Sequence, residues 1–359
     1  MRGEVVYLYA FDVAGEIATG QIQQILTSQP YPFEIKKDHT VPKDVPLYRP
    51  LAIEPAALDL RCRGQLVKVL VRAYDVGVIT ITMRVAFTAE TLAELLPFHA
   101  PKLDDGQSFD QAVKTLCEQI CDSLRNVLIR RVQSYEPEAY TIFCLTDLGS
   151  QRDVPTWLDA HQREVAGLLT EMPAADLSDA QVGEVLRIRR SFTKTDAVVI
   201  DWDSALVIDL MGYLEDVVYV IELANLQLEE YRVMDQQLDQ YLDRAYSDLA
   251  KKRGVLFGAY SRILSDLRLF RVDVTKLNDE VTHISKFFGD WHLARIYLGA
   301  SERFYLDHWR KSVEERLSQI DSLYSVVNSD IANRRMMWLE IIVVVFFAID
   351  LWAILFLKK

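Results

Sequence analysis

The feature that most constrains this chain lies at its end, where Met336 to Leu357 is almost wholly apolar and is followed by Lys358 and Lys359. As a helix rising 1.5 Å per residue, this segment spans roughly 30 Å, the thickness of a bilayer's hydrocarbon core. It therefore reads as a single transmembrane helix, and with two residues after it the chain reads as tail-anchored. Two acids interrupt the run, Glu340 near its start and Asp350 past its midpoint. A carboxylate at that depth costs about 2.5–3.5 kcal/mol on insertion scales, so it is expected to face protein, water or a cation, or to be protonated. Glu340 could reach the headgroup level beside Arg334 and Arg335. At 100° per residue the two acids lie about 80° apart around the helix, and this shared side is expected to face partner helices as an oligomer interface.

A chain of 359 residues has room for two further units, each with its own core. The formal charge of -12 argues against a general nucleic-acid binder, whose footprint is basic. The short basic clusters, Arg187, Arg189, Arg190 and Lys194 in one place and Arg130 with Arg131 in another, read as solvated faces. Residues Met1 to Tyr7 run straight into a strand-like pattern, so neither a signal peptide nor a transit peptide is expected. Cys62, Cys117, Cys121 and Cys144 are too scattered for a disulfide framework. Cys117 and Cys121 are one helical turn apart, with no histidine near in sequence to complete a metal site, and are expected to act as small buried hydrophobes in a reducing compartment.

All eleven prolines lie between Pro30 and Pro173, and this composition step predicts mixed structure first and helix afterwards. In the first part Glu4–Phe11, Leu66–Ala73, Val76–Val85 and Tyr140–Leu148 read as strands, with Tyr74 and Asp75 as a turn. Gly15–Thr27, Ser108–Val132, Val154–Glu171 and Ala180–Arg190 have helical spacing, the second with Ala112, Leu116, Ile120, Leu124 and Leu128 at every fourth position. Ala197–Ile208 reads as a hairpin turning at residues 201–204. Without regular βαβ alternation, residues 1–209 are expected to form an α+β domain on a mainly antiparallel sheet.

Residues 210–335 read as an all-α, coiled-coil stalk. Leu214, Val217, Ile221, Ala224, Leu228, Tyr231, Leu238, Leu242, Ala245 and Leu249 form a seam broken only by Asp235. The Lys251–Gly254 stretch looks like its end. A helix over about Leu256–Phe270 and another from near Val274, with Leu277, Val281, Ile284, Phe288 and Trp291 on one face, are predicted next. The last helix is expected to start near Ser301, to carry a seam of Val313, Leu317, Ile320, Tyr324, Val327 and Ile331, and to run unbroken into residues 336–357.

Three stretches, Gly289–Tyr297 (GDWHLARIY), Glu302–Arg310 (ERFYLDHWR) and Arg334–Ile342 (RRMMWLEII) with an acid ten residues after Glu340, resemble a domain-of-unknown-function family, that of the required-for-meiotic-nuclear-division proteins of bacteria, yeast and mitochondria. The likeness covers roughly residues 195 to 355, with a looser echo at Tyr74–Thr80 (YDVGVIT). It implies an inner-membrane protein with one C-terminal membrane helix and a homo-oligomeric habit; its mitochondrial members support translation at the inner membrane as anchors. The family offers no established catalytic residues, and it implies that Glu340 and Asp350 belong to a pattern. The expected lack of a transit peptide favours a bacterial member.

For catalysis the pair Asp201 and Asp203 could bind a divalent cation or share proton transfer. A hairpin tip explains the same residues through the turn preference of Asp. The six histidines, His39, His99, His161, His283, His292 and His308, show no ligand spacing, and neither a phosphate-binding glycine loop, a nucleophile elbow nor a zinc motif is found. No cofactor is expected. These readings favour a non-enzymatic, membrane-anchored homo-oligomeric scaffold or tether at the bacterial inner membrane. Most of the chain would be cytoplasmic, and the partners would be the bilayer, further copies and a protein, translation-related by resemblance, without nucleic acid. The alternative is an ion channel in which rings of Asp350 line a pore, resembling magnesium channels in outline only.

Overall fold

A computed structural model of the chain describes residues 1–22, 31–32, 50–53, 55, 58–132, 136–250, 271–272, 274–275 and 291–356. The predicted helix over 256–270, most of the one expected from near Val274, and the Lys251–Gly254 helix end lie outside these residues. Strands β1 (Arg2–Asp12), β2 (Ala14–Ile17), β3 (Tyr31–Pro32), β4 (Leu51–Ile53), β5 (Arg61–Cys62), β6 (Gln65–Leu66), β7 (Lys68–Ala73), β8 (Val78–Thr88), β9 (Leu128–Arg131), β10 (Glu138–Asp147), β11 (Arg189–Arg190), β12 (Asp196–Ile200) and β13 (Ser204–Asp209) are interleaved with helices. The helices are α1 (Thr19–Ile22), α2 (Phe109–Ser123), α3 (Val154–Ala160), α4 (Gln162–Leu169), α5 (Asp179–Val185), α6 (Leu214–Ala250), α7 (Trp291–Arg303) and α8 (Leu306–Phe356).

Nine strands form one sheet in the order β11-β12-β13-β10-β1-β8-β7-β4-β3. The sheet is mainly antiparallel, as expected, and one parallel pair makes it mixed. Strand β13 runs parallel to β10, with Thr141 opposite Ser204, because the chain between them crosses through α3, α4 and α5 and returns along β12. β1 lies between β8 and β10, antiparallel to both.

Alternation along the strands divides the sheet's side chains into two sets. Val5, Tyr7, Tyr9 and Phe11 join Ile79, Ile81, Met83 and Val85 in the apolar core that α2, α3, α4 and α5 complete with Phe109, Val113, Leu158 and Val165. Helix α2 starts where the Ser108 hydroxyl accepts from the Gln111 N–H at 3.3 Å. Between β7 and β8 the chain turns through Gly77, whose φ of +99° suits glycine; a Cβ there would lie 1.8 Å from the Ala14 carbonyl oxygen. That tight approach lets the Gly77 carbonyl accept from the N–H groups of Val13 and Ala14.

Tertiary pairing overrides several helix expectations. Residues 14–17 form β2 against β9, leaving only the short α1 of the helix expected at 15–27 among the described residues. Helix α2 ends at Ser123, and Leu128, which continued its every-fourth pattern, belongs to β9. The stretch 154–171 divides at His161 into α3 and α4, and Arg189 and Arg190 leave the predicted helix to edge the sheet as β11.

Two compact units emerge: one of residues 1–233 and 275–310, the other of 234–274 and 311–359. The sheet and its helices belong to the first, which draws on both sides of residue 209. In the second unit, Arg316 of α8 pairs with Asp235, at 3.2 Å, and with Asp239 of α6. Leu238, Val313, Leu317 and Ile320 are buried there. The acid that broke the α6 seam is thus answered by an arginine, and this part of both seams is buried within one chain. The last helix starts at Leu306 and not near Ser301, because Tyr305, with φ +54°, separates α7 from α8.

The transmembrane expectation for 336–357 is corrected. Among the described residues no helix is long and apolar enough to cross a membrane. Glu340 and Asp350 divide the apolar run, and the nine residues from Ile341 to Ile349 between them span roughly 13 Å of helix, well short of a bilayer core. The tail-anchored, single-pass inner-membrane assignment falls with it. What α8 shows there is exposure, with Phe346 at 68% and Phe347 at 72%.

Candidate functional site

The second face of the sheet carries the chain's concentration of buried charge. On β7 and β8, Arg72, Thr80, Thr82 and Arg84 alternate with core residues and point away from the apolar core, and Tyr74 follows β7 on the same side. Helix α6 lies over them. Its residues Glu215, Glu222 and Glu229 are seven apart, two helical turns each, and form one stripe.

Each glutamate of that stripe has its own surroundings. Glu215 accepts from Nη1 and Nη2 of Arg84, and Nη1 also donates to Glu4 at 2.9 Å. Burial opposes the charge on Arg84, but Glu215 and then Glu4 outweigh it and hold its pKa above the ordinary value. Glu222, 1% exposed, accepts from Arg72 Nη1, from Thr80 Oγ1 and, at 3.0 Å, from the Tyr74 hydroxyl. The Arg72 guanidinium also lies 5.7 Å from the centre of the Tyr219 ring, a cation–π contact one turn back along α6. Burial first, and then the charge of Glu222, push the Tyr74 hydroxyl well above the usual tyrosine range, so it remains a donor. Glu229 is 5% exposed; burial, then the charge of Asp12, with a smaller contribution from Glu136, push it up to about 8 against a hydrogen bond from the Asp12 backbone. Nearby, Asn225 Nδ2 donates to the Glu138 carbonyl at 3.2 Å.

A second buried centre forms where α7 meets the β12–β13 hairpin. Asp201, Trp202 and Asp203 form its turn, closed by the Asp201 N–H donating to the Ser204 carbonyl at 2.9 Å. Asp201 is buried and pairs with Arg303 Nη2, while Nη1 of that arginine donates to Glu184 at 2.8 Å. Burial opposes the Arg303 charge, but Asp201 and then Glu184 outweigh it and raise its pKa. The Tyr140 hydroxyl lies 2.8 Å from the carbonyl oxygens of both Asp201 and Ser204. On the surface above, Trp202 stacks on Tyr305 with ring centres 4.9 Å apart. Tyr297 adds a bond to Gln227 of α6. Gly299 permits the close approach of α7, because a Cβ there would meet the Ile188 side chain at 2.9 Å.

The structure therefore separates the acidic pair predicted from the sequence. Asp201 is committed to Arg303, whereas the Asp203 side chain is exposed and its carbonyl accepts from the Thr141 N–H at 3.0 Å. Glu340 and Asp350 lie on α8 with exposed side chains. Arg334 and Arg335 are in the same helix, their side chains outside the described residues. The four cysteines are buried and free, and the sulfurs of Cys117 and Cys121 lie 4.0 Å apart. Among the described residues no group of three or more His, Cys, Asp or Glu side chains is placed to hold a metal ion.

Arg72, Thr80, Glu222 and Arg303 were not anticipated from the sequence. For the first three the sequence holds a trace that does not by itself name partners: the seven-residue repeat of acids at 215, 222 and 229, and strands whose alternate residues include arginines and threonines; for Arg303 it holds none. Chemically the arrangement is a latch. Buried charges are held only where partners meet them, so the acidic stripe fixes where α6 sits along the sheet, and Arg303 fixes α7.

Residues 2–214 match the family described as "Uncharacterized protein MJ0711, N-terminal domain". The uncharacterized protein MJ0711 of Methanocaldococcus jannaschii is 22% identical over 199 residues, which are 55% of this chain and 59% of that protein. The chain thus spans less than two thirds of the length of this curated relative. No solved structure matches the chain. The family match rests on the sheet-bearing part of the chain, ahead of most of the motifs quoted above for the C-terminal half. Because it takes in more than half of the residues, the chain belongs to the family of the MJ0711 N-terminal domain, a family of unknown function.

Proposed function

We propose that this protein is a non-enzymatic homo-oligomeric scaffold, in which a latched α+β unit is displayed for a partner protein and copies join through the apolar end of α8. The carrying observation is the exposure of that end. Met336, Trp338, Val344, Phe346 and Phe347 are each more than half exposed, and such residues follow one another around every side of the helix. A helix that is apolar all round is buried in its working state. Copies of the same segment supply a matching surface, and Glu340 and Asp350, about 80° apart, then face one another's neighbours in the bundle. The resemblance of the C-terminal motifs to the required-for-meiotic-nuclear-division proteins, with their homo-oligomeric habit, supports the same reading and suggests a translation-related partner. That Leu238, Val313, Leu317 and Ile320 are already buried within one chain supports placing the contact at this end.

Light scattering on the full chain tests the proposal. A defined oligomer that dissociates on the double substitution Phe346→Glu and Phe347→Glu is expected. A monomer at tens of micromolar, identical in the double variant, would overturn it.

A further inference from the structure

The ladder of the central sheet stops short along one side of β8. At its far end the Met1 amino group donates to the Ala89 carbonyl at 2.8 Å, and the Ala89 N–H returns a bond to the Met1 carbonyl at 3.1 Å. The odd-numbered residues of β8 therefore bond towards β1, since antiparallel partners alternate. On the other side the Tyr74 N–H donates to the Val78 carbonyl at 2.9 Å, so the even-numbered residues bond towards β7. That pairing ends with Arg84 opposite Lys68. The next even positions are Ala86 and Thr88. The residues that would have met them, Leu66 and Gly64, turn away into the β5–β6 hairpin, where Leu66 pairs with Arg61. Among the described residues, Ala86 and Thr88 form no ladder pairing on this side.

A cavity of about 340 Å³ opens beside this edge, walled by Arg63, Gln65, Leu95 and Phe98 as well as by residues 85–89. Two charged side chains line it, Glu94 and Arg63. Glu94 already accepts from the Glu90 N–H and the Thr91 hydroxyl, both at 3.1 Å, and these bonds hold its pKa below the ordinary value. Arg63 sits at the hairpin tip with φ +54° and its guanidinium carbon 4.1 Å from the centre of the Phe98 ring. Its Nη2 lies 3.4 Å from the Pro97 carbonyl, and among the described residues it has no carboxylate partner.

We propose that this edge receives an extended, acidic peptide segment of a partner protein as an added strand. The peptide's backbone bonds to Ala86 and Thr88, two ladder positions about 7 Å apart. A carboxylate on the peptide meets Arg63, and an alternate apolar side chain meets Leu66, which is 58% exposed. An open sheet edge is ordinarily blunted by charge or cover. Of the two charges placed beside it, Glu94 is already met by the Glu90 N–H and the Thr91 hydroxyl, and Arg63, which has no carboxylate partner among the described residues, is the one that selects an acidic strand.

Fluorescence anisotropy on the full chain tests this, with a labelled hexapeptide of alternating valine and threonine ending in aspartate as probe. Saturable binding is expected. Methylating alternate peptide nitrogens, or Arg63→Ala, weakens it roughly five- to tenfold, as loss of a few hydrogen bonds or one charge contact does. Ala86→Pro removes the outward donor without touching the bonds to β1 and abolishes binding, with the circular dichroism spectrum unchanged. Should that variant not fold, the methylated peptide on the unaltered chain decides. Equal affinity for plain and methylated peptides, or no saturable binding up to millimolar peptide, overturns the proposal. A dimer that Ala86→Pro dissociates in the absence of peptide would give the edge to a second copy and overturn it as well.

Discussion

The two faces of the central sheet are buried alike and built of unlike chemistry. On one, Val5, Tyr7, Phe11, Ile79, Ile81 and Val85 pack into an apolar core against short helices; on the other, Arg72, Tyr74, Thr80 and Arg84 meet the glutamates of α6. Apolar packing is non-directional and scales with the area removed from water, so many arrangements of similar volume satisfy it. Charged pairs under a helix are satisfied in one register only. A slip of α6 by a turn, about 5.4 Å, would part Glu222 from all three donors and Glu215 from Arg84. The core face accordingly contributes most of the stability, and the latched face contributes position.

The sharpest way to break that contrast is to remove one partner of the most enclosed pair. Glu222→Ala leaves the Arg72 charge buried beside Tyr74 and Thr80, and a loss of about 3–5 kcal/mol is expected in urea unfolding. Replacing both partners, Glu222→Leu with Arg72→Met, should restore most of that loss, since two apolar groups of similar volume carry no desolvation penalty. A double variant as unstable as the single one would mean that the face is held by packing alone, and the distinction between the two faces would fail.

Much of the core face was legible in the sequence. Strands at 4–11, 66–73 and 140–148 follow from period-two alternation, the turn at Tyr74 and Asp75 from the break between two of them, and α2 from its every-fourth apolar residues. The latch was not legible. Arg72 and Thr80 alternate with apolar neighbours in the manner of a solvated strand face, and the glutamate that covers them comes 150 residues later for Arg72 and 142 for Thr80. Asp201 could be read as a turn residue, but its partner Arg303 is 102 residues away. At the C-terminal end, apolar composition pointed to a membrane span, whereas the spacing between Glu340 and Asp350 limits the uninterrupted run to nine residues.

Glu229 sharpens the comparison through pH. Its pKa is about 8 in the folded chain against 4.5 for the ordinary group, so in the window between them the folded state binds more protons than the unfolded one. Stability therefore falls as pH rises from 4.5 through 8 and levels off above it. One pKa unit corresponds to about 1.4 kcal/mol, which puts the contribution on the order of a few kcal/mol across the window. Glu229→Gln removes the ionisation, and urea midpoints measured from pH 5 to about 9 should fall less steeply in the variant than in the parent. Parallel profiles would assign the pH dependence to other groups.

The smallest effects come from two neighbours on one strand. Ile79 and Thr80 are adjacent in β8 and point to opposite faces, the first into the apolar core and the second to Glu222. Thr80→Val keeps the shape and removes one donor from a buried carboxylate, at a cost of about 1.5–3 kcal/mol, the range for hydrogen bonds to charged groups. Ile79→Val deletes one methylene and should cost about 0.5–1.5 kcal/mol. Because the two side chains share no partner, the double variant should lose the sum of the single losses, to within about 0.5 kcal/mol. A larger combined loss would show that the strand transmits strain from one face to the other, and that the latch and the core act as one cooperative layer.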